Sequence, residues 1–268
     1  MSVLKLAVTA ALVLSLAFLI ACKDTDEDEK RTTNPKPSAQ AASQQSAPGG
    51  DEDDENPAEA NAASAESPAP LQAAGQQLAY NFDSDSLGQL PQKFHAALTG
   101  SGSESKWAVT ADASAPSKPN VVAQASTDKT DYRFPLLISD EGSFRDLDLS
   151  VRFKAVSGTI DRAAGLVFRL RDPNNYYIVR ANALENNYRL YHVVNGRRSQ
   201  FAGANLKVTS GEWHELRVEA VGNRITCYYD GNKKIEGTDD TFKDAGKIGL
   251  WTKADSVTSF DDLKATAK

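Results

Sequence analysis

Arginine, asparagine and tyrosine recur at alternate positions of two short apolar segments, a spacing that puts them on one face of a β-strand. Arg169 and Arg171, for example, would lie opposite Phe168. Saccharides are bound by flat rings that cover the pyranose and by forked or planar groups that hydrogen-bond its hydroxyls. The pattern therefore predicts a polar saccharide-binding patch on neighbouring strands. Its predicted members are Arg169, Arg171, Tyr176, Arg180, Asn182, Trp251, Lys253 and Asp255.

A structural role is the alternative for the same arginines. Two arginines on one strand and a third on its neighbour repel each other unless a carboxylate, an anion or a ligand neutralises their charge. Asp172, Glu185 and Asp255 are carboxylates within the same segments. The sequence leaves open a salt-bridge network instead of a ligand site, and it leaves Trp251 open as a core residue.

The segments that must position these residues are short strands separated by turns. Alternating apolar and polar residues occupy 146–153 and 216–221, and turn sequences such as Asp-Pro-Asn-Asn at 172–175 and Asn-Gly at 195–196 lie between such runs. No sustained helical stripe, crossover helix or fixed repeat is visible. The sequence therefore predicts an all-β domain over 78–268, an antiparallel two-sheet β-sandwich of the jelly-roll type.

The first 22 residues are typical of an export signal. Lys5 precedes an apolar run over 6–20, and the run ends in Leu-Ile-Ala-Cys, which resembles a lipobox with Cys22 as the lipidated residue. Lys23, where an inner-membrane protein often has aspartate, favours the outer membrane of a cell envelope. We expect attachment to the membrane only through this lipid anchor. An ordinary secretory signal and an uncleaved membrane helix are the alternatives.

Residues 23–77 differ sharply in composition from the rest of the chain. They contain no Phe, Trp or Tyr and are rich in Ala, Ser, Gln, Pro and acidic residues, which predicts a disordered linker. Twelve of them are acidic and four are basic, so that of the total charge of −6, with +1 from Lys5, a charge of +1 remains for 78–268. Such a nearly neutral domain lacks the basic field of a nucleic-acid-binding protein.

Cysteine usage and several absent motifs exclude other kinds of chemistry. With Cys22 lipidated, Cys227 has no intramolecular partner, and its place on a strand face with Ile225 and Tyr229 predicts a small buried hydrophobe. The sequence contains no Gly-x-Ser-x-Gly elbow, phosphate-binding glycine loop, dinucleotide fingerprint or Cys-x-x-Cys pair. Neither a disulfide framework nor these catalytic classes are expected.

Several stretches of 78–268 together resemble the 3-keto-disaccharide hydrolase domain family. They are NFD at 81–83, LGQLP at 87–91, AGLVFR at 164–169, NYYIVRANALE at 175–185, GKIGLWTKADSV at 246–257 and FDDL at 260–263. That family lies in the concanavalin-A-like lectin and glucanase superfamily, beside the laminin-G-like domains. The resemblance implies a concanavalin-A-like jelly roll and a glycan or modified disaccharide as its ligand.

The resemblance also bears on catalysis. Glucanases of this superfamily share a Glu-x-Asp-x-x-Glu strand for acid and nucleophile, and residues 78–268 contain none. A 3-keto sugar needs less, because the ketone acidifies the neighbouring C–H, and one base with a partner for the enolate is enough. In that reading Glu185 or His192 is the base, and Arg169, Arg171 and Lys253 are the oxyanion partners.

Laminin-G-like relatives often hold calcium, which implies oxygen ligands where the two ends of the domain meet. Asp83, Asp261 and Asp262 have suitable side chains and positions, although Asp261 could instead bond to backbone at a strand end. Three functions stay open: a membrane-tethered carbohydrate-binding domain, a glycoside hydrolase or lyase for 3-keto-disaccharides, and a non-catalytic interaction domain with an envelope protein partner.

Overall fold

The computed structural model describes residues 75–268, so the predicted signal peptide, Cys22 and nearly all of the predicted linker lie outside the described residues. Among residues 75–268, no helix is long and apolar enough to cross a membrane. The strands of this region are β1 (Gln77–Tyr80), β2 (Phe94–Gly100), β3 (Trp107–Ala111), β4 (Asn120–Gln124), β5 (Arg133–Ser139), β6 (Leu147–Ser157), β7 (Ala163–Asp172), β8 (Asn175–Asn182), β9 (Asn187–Val194), β10 (Arg197–Asn205), β11 (His214–Val221), β12 (Arg224–Tyr229), β13 (Asn232–Thr238), β14 (Lys247–Trp251) and β15 (Val257–Ala267).

The strands form two antiparallel sheets. The eight-stranded sheet has the order β13-β12-β11-β6-β15-β4-β3, with β1 also paired to β15, and the seven-stranded sheet has the order β10-β9-β8-β7-β14-β5-β2. Every pairing between these strands is antiparallel. The prediction of an antiparallel two-sheet β-sandwich is confirmed.

The main apolar core lies between the sheets. Strand β6 alternates buried and half-buried residues along its length, as expected for a strand with one face on the core. Phe153 and Leu216 from one sheet pack in the same cluster as Phe168 and Tyr177 from the other. Cys227 belongs to this cluster as a buried, unpaired thiol whose pKa is raised by burial, which confirms its prediction as a buried hydrophobe.

A second apolar cluster covers the outer face of the seven-stranded sheet. All of its members come from that sheet, among them Phe134, Tyr176, Ile178, Tyr191 and Trp251. Strands β7 and β8 are consequently buried on both faces for most of their length. This second cluster is the floor on which the polar residues of the candidate site stand.

The seven-stranded sheet is curled, so that this outer face is concave. Neighbouring strands are about 4.8 Å apart, and five such steps across a flat sheet would separate β10 from β5 by about 24 Å. The Arg198 Cζ of β10 nevertheless lies 4.9 Å from the ring centre of Phe134 in β5. The Tyr132 hydroxyl, just before β5, donates to the Gly196 carbonyl beside β10 at 2.5 Å. The curl therefore brings opposite parts of one sheet together.

Candidate functional site

A buried charged cluster lies on the concave face, and we call its members, Asp161, Arg180, Glu185, Asn187 and Lys253, the Asp161 cluster. The Arg180 Nη2 lies 2.7 Å from Glu185 Oε2 and donates to Asn187 Oδ1 at 2.9 Å, while its Nη1 lies 3.7 Å from Asp161 Oδ2. The Lys253 Nζ is 3.5 Å from the same Asp161 oxygen. Two cations thus meet at one carboxylate oxygen.

Asp161 is the most unusual member of the cluster. Its side chain is fully buried, and neither carboxylate oxygen has a hydrogen-bond partner among residues 75–268. Burial raises the pKa of this carboxyl, although the charges of Arg180 and Lys253 act in the opposite direction. A buried acceptor without a hydrogen-bond partner is costly to keep, so this carboxylate needs a specific explanation.

Glu185 differs from Asp161 in exposure and in bonding. Its side chain is 47% exposed, and its Oε2 accepts hydrogen bonds from both Arg180 and Asn187. Burial of the carboxyl would raise its pKa, but the Arg180 charge and the hydrogen bonds hold the pKa below the usual value for glutamate. Glu185 is therefore the weaker base of the two carboxylates, and it lies where the cluster meets solvent.

The loop that carries Asp161 is fixed by Asp255. The Asp255 carboxylate accepts from the backbone N–H groups of Thr159, Ile160 and Asp161 at 2.7, 2.9 and 3.0 Å and from the Thr159 hydroxyl at 2.8 Å. Gly158 has φ +145°, and a Cβ there would lie 1.8 Å from the Asp161 carbonyl oxygen. Asp255 is therefore a positioning residue, and its predicted place in the ligand patch is wrong because loop backbone uses its oxygens.

Aromatic rings line the floor beside the cluster. Phe134 and Trp251 stack with centroids 5.2 Å apart, and Arg198 lies over the rings of Tyr191 and Trp251 at 4.5 and 5.9 Å. The Arg180 Cζ lies 5.6 Å from the same Tyr191 ring. Two guanidinium groups thus pack against the same tyrosine ring.

Trp251 and Tyr176 are fully buried, contrary to their prediction as ligand-contacting residues. The Tyr176 hydroxyl is hydrogen-bonded to the Thr99 hydroxyl at 2.9 Å. Because the sheet curls, both rings are buried in the outer apolar cluster, beneath the charged residues of the site. The alternative reading of Trp251 as a core residue is correct.

Three buried donor atoms beside the floor also lack a hydrogen-bond partner in the described part of the chain: Arg180 Nε, Asn182 Nδ2 and Arg198 Nη1. The other end of the Asn182 amide accepts from the backbone N–H of Leu184 at 2.9 Å and so shapes the turn that contains Glu185. Unfilled donors and an unfilled carboxylate occur together here. Hydroxyl groups, which both donate and accept, satisfy such a mixture.

Arg169 and Arg171 do not belong to this site. A register irregularity separates Phe168 from Asp172, and Arg169 has φ +47°, so that simple alternation fails at this point. The buried Arg169 guanidinium donates to the carbonyls of Arg145, Phe242 and Gly222, at 2.6, 3.0 and 2.6 Å. Exposed Arg171 pairs with Asp244 at 3.0 Å. Arg169 thus ties loops together, which corrects its predicted place in the ligand patch, and Arg171 has no described contact with the Asp161 cluster.

His192 is also separate from Glu185. On β9 it alternates with Tyr191 and so faces the other side of the sheet, where its Nδ1 lies 3.1 Å from Asp239 Oδ2 and its ring stacks on Phe201. No described contact joins it to the Asp161 cluster. The prediction of His192 as the base of this site is wrong, because it stands on the opposite face.

The predicted calcium site is not assembled. Asp83 accepts from the backbone N–H of Asn120 at 3.0 Å, and Asp261 accepts from the N–H and the hydroxyl of Ser117, both at 2.8 Å. Asp262 pairs with Lys264 at 3.2 Å. Among residues 75–268 no three His, Cys, Asp or Glu side chains are grouped to hold a metal ion. Asp83 and Asp261 accept hydrogen bonds from backbone instead, as the alternative for Asp261 expected.

Four of the predicted residues are therefore brought together, namely Arg180, Asn182, Glu185 and Lys253. Sequence reasoning missed Asp161, Asn187, Tyr191 and Arg198. Asn187 and Tyr191 alternate along β9 next to Arg180, a signal that could have been found by pairing β9 with β8. Asp161 lies in a loop without any motif, and Arg198 reaches the site only because the sheet curls.

Comparison with solved structures finds similar proteins at low sequence identity. The carbohydrate binding module CBM66 from Bacillus subtilis is 20% identical, with a TM-score of 0.51 over 63% of this chain and 94% of that chain. A Bacillus subtilis protein of unknown function with a galectin-like fold is 12% identical, with a TM-score of 0.46 over 65% of this chain and 89% of that one. At these identities the likeness concerns the fold alone.

Among curated proteins, none matches this chain in sequence. The model of the 3-keto-alpha-glucoside-1,2-lyase-like domain, however, matches residues 95–266, which include nearly all the strands and the whole Asp161 cluster. The family expected from the sequence motifs is thereby confirmed. The chain belongs to the 3-keto-alpha-glucoside-1,2-lyase-like domain family.

Proposed function

We propose that the domain binds carbohydrate on the concave face of the seven-stranded sheet, at the Asp161 cluster. The observation that carries this proposal is the buried Asp161 carboxylate, neither of whose oxygens has a hydrogen-bond partner among residues 75–268. A network that served only stability would satisfy its acceptors, since each unpaired buried polar group costs about 1–3 kcal/mol. Here the acceptors and the neighbouring Arg180 and Asn182 donors are left for a ligand.

The chemistry of a saccharide fits these atoms. One sugar hydroxyl can donate to Asp161 and accept from Arg180 or Asn182 at the same time. The exposed side chains of Glu185 and Asp131, the latter 2.8 Å from Lys253, mark the side from which a ligand approaches. The family description names a glycoside lyase, and CBM66 is a carbohydrate binding module; both support a saccharide over an envelope protein partner.

A glycan array followed by calorimetry on the purified full chain tests the proposal. At least one saccharide, with 3-keto sugars included in the set, should bind to the wild-type chain and not to Asp161→Asn. Asp244→Asn is the matched control, because it removes the same charge from an exposed residue outside the cluster and should leave affinity unchanged. Absence of binding to every saccharide would overturn the proposal.

A lyase acting on 3-keto-disaccharides is the second candidate, and the raised pKa of Asp161 favours it, since a more basic carboxylate removes a carbon-bound proton more readily. Asp161 takes the proton from the carbon between the ketone and the anomeric carbon. The C–H electron pair forms a C=C bond, the glycosidic C–O bond breaks, and the leaving oxygen takes a proton from water. The cations of Arg180 and Lys253 stabilise the enolate.

Incubation of the full chain with a 3-keto disaccharide tests this second candidate. Free sugar and the ultraviolet absorbance of the unsaturated ketone should rise together, and Asp161→Asn should abolish both. Glu185→Gln should retain turnover, because Glu185 is the weaker base. If no more sugar is released than in buffer, the domain binds without catalysis.

We further propose that the domain is held at the cell envelope by a lipid on Cys22, with the outer membrane as its site. The support is the lipobox-like Leu-Ile-Ala-Cys at 19–22, which ends the apolar run over 6–20. Labelled palmitate should enter the wild-type chain and not Cys22→Ser, and fractionation should find the wild type with outer-membrane markers. An unlabelled, freely secreted wild-type chain would contradict this.

A further inference from the structure

The hairpin of β9 and β10 carries positive charge without any carboxylate. Residues 186–211 contain three arginines and a lysine, and neither aspartate nor glutamate. Within the described residues, no carboxylate oxygen lies at ion-pair distance from any of these four cations, which are Arg189, Arg197, Arg198 and Lys207. On the other sheet, by contrast, Arg217 binds Asp148 through two nitrogens, at 2.7 and 2.6 Å.

Two of these cations point onto the concave face beside Arg180. Arg189 stands directly opposite Arg180 across β8 and β9, and such like-charged pairs destabilise a sheet. Among residues 75–268, Arg189 donates to neutral acceptors alone, the Ala204 carbonyl and Asn205 Oδ1, both at 2.7 Å, and the Tyr188 carbonyl at 3.4 Å. Gly203 leaves the room for it, since a Cβ there would lie 2.6 Å from Arg189 Cδ. The fold thus holds this guanidinium in place without neutralising it.

Arg198 is the second of these cations. It is half-buried against the rings of Phe134, Tyr191 and Trp251, and its Nη1 is buried without a hydrogen-bond partner among residues 75–268. Both nearby carboxylates, Asp161 and Glu185, already lie against Arg180. A partly desolvated guanidinium with an unfilled donor is unfavourable until an anion reaches it.

We infer that the ligand of the concave face is an acidic saccharide, whose carboxylate pairs with Arg198 while its hydroxyls reach the Asp161 cluster. The planar fork of arginine matches the two oxygens of a carboxylate. Arg198 and Arg180 lie against one Tyr191 ring, so a ligand of one or two sugar units touches both. This inference rests on the proposed carbohydrate-binding function and narrows its ligand to uronic-acid-containing glycans.

Calorimetry with matched probes tests the inference on the full chain. The probes are trigalacturonate, a mannuronate trimer and a hyaluronan tetrasaccharide, each beside its methyl ester, together with neutral and sulfated galactose oligomers. At least one acid should bind about tenfold or more tightly than its ester, because a charge-assisted hydrogen bond is lost on esterification. Added salt should weaken binding of the acid and leave binding of the ester unchanged.

Variants locate the effect on Arg198. Arg198→Gln should abolish the preference for the acid, and Arg198→Lys, which keeps the charge and loses the fork, should retain only part of it. Arg224→Gln is the control, because it removes one exposed cation from the eight-stranded sheet and should change nothing. Circular dichroism and thermal unfolding of each variant confirm that a lost preference is not a lost fold.

Each outcome separates the inference from the function on which it rests. Binding of neutral glycans or esters as tightly as the acids overturns the acidic ligand and leaves carbohydrate binding standing. If only sulfated sugars bind, the claim that a carboxylate is the recognised group is overturned. If the preference for the acid survives Arg198→Gln, the role of Arg198 is overturned. If no probe or other saccharide binds, both the inference and the proposed function fail.

Discussion

Asp255 accepts four hydrogen bonds from the loop that contains Asp161, whereas the carboxylate of Asp161 accepts none from the described residues. The two carboxylates are buried close together and are used in opposite ways. Bonding to backbone amides lowers the pKa of Asp255 against the effect of its burial, and burial raises that of Asp161. Asp255 holds the loop in place, and Asp161 is the residue that this loop positions.

Asp255→Asn should weaken both the fold and the site. The amide keeps one acceptor oxygen and loses the charge, so part of the four-bond arrangement at Thr159, Ile160 and Asp161 breaks. We expect a loss of about 1–3 kcal/mol in the free energy of unfolding, measured by denaturant titration, and weaker saccharide binding. An unchanged affinity in a destabilised variant would mean that the loop does not position Asp161.

Gly158→Ala tests the same loop through its backbone. The added Cβ would meet the Asp161 carbonyl oxygen at 1.8 Å, so the loop must move and take Asp161 with it. Gly211→Ala is the matched control, because Gly211 also has positive φ, +76°, but has nothing within 4 Å of a Cβ. The control should lose about 1–2 kcal/mol, and Gly158→Ala should lose more, together with binding. Equal losses in the two variants, with binding intact, would contradict the account.

Much of the fold follows from local pattern, and the failures have identifiable physical causes. Alternation along β6 and β8 predicts strands with defined faces, and it correctly predicts that Arg180 and Asn182 lie on the same face. It fails at Arg169, where a positive φ and a register shift turn the side chain toward loop carbonyls. The burial of Trp251 and the approach of Arg198 depend on the curl of the whole sheet, which no local window contains.

Asp161→Asn should change how stability depends on pH, and it should remove function. The folded-state pKa of Asp161 is raised above its unfolded value, so the folded protein holds this proton more tightly, and the resulting stabilisation is lost as pH rises through the folded pKa. Asparagine mimics the protonated form at every pH. Denaturant unfolding across pH should therefore show the free energy of unfolding of the variant rising relative to that of the wild type as pH rises. A pH-independent difference would be the contrary result.

Arg169→Gln should destabilise the domain without altering the site. It leaves the buried Phe242 carbonyl without its Arg169 donor, and a buried unpaired group costs about 1–3 kcal/mol, whereas water can replace the donor at the exposed residues Arg145 and Gly222. We expect a loss of about 1–3 kcal/mol by denaturant unfolding, and an unchanged dissociation constant for the saccharide per folded molecule. Weaker binding by the folded variant would mean that Arg169 does contribute to the ligand site.

The most direct test of the central claim is a crystal structure of the full chain with a bound saccharide. The account predicts a sugar on the concave face, with a hydroxyl within hydrogen-bond distance of an Asp161 oxygen and with Arg180 and Arg198 in contact with the ligand. A saccharide bound instead in the groove of the eight-stranded sheet, which Arg224, Tyr228 and Glu236 line, with the Asp161 oxygens still unpartnered, would contradict it.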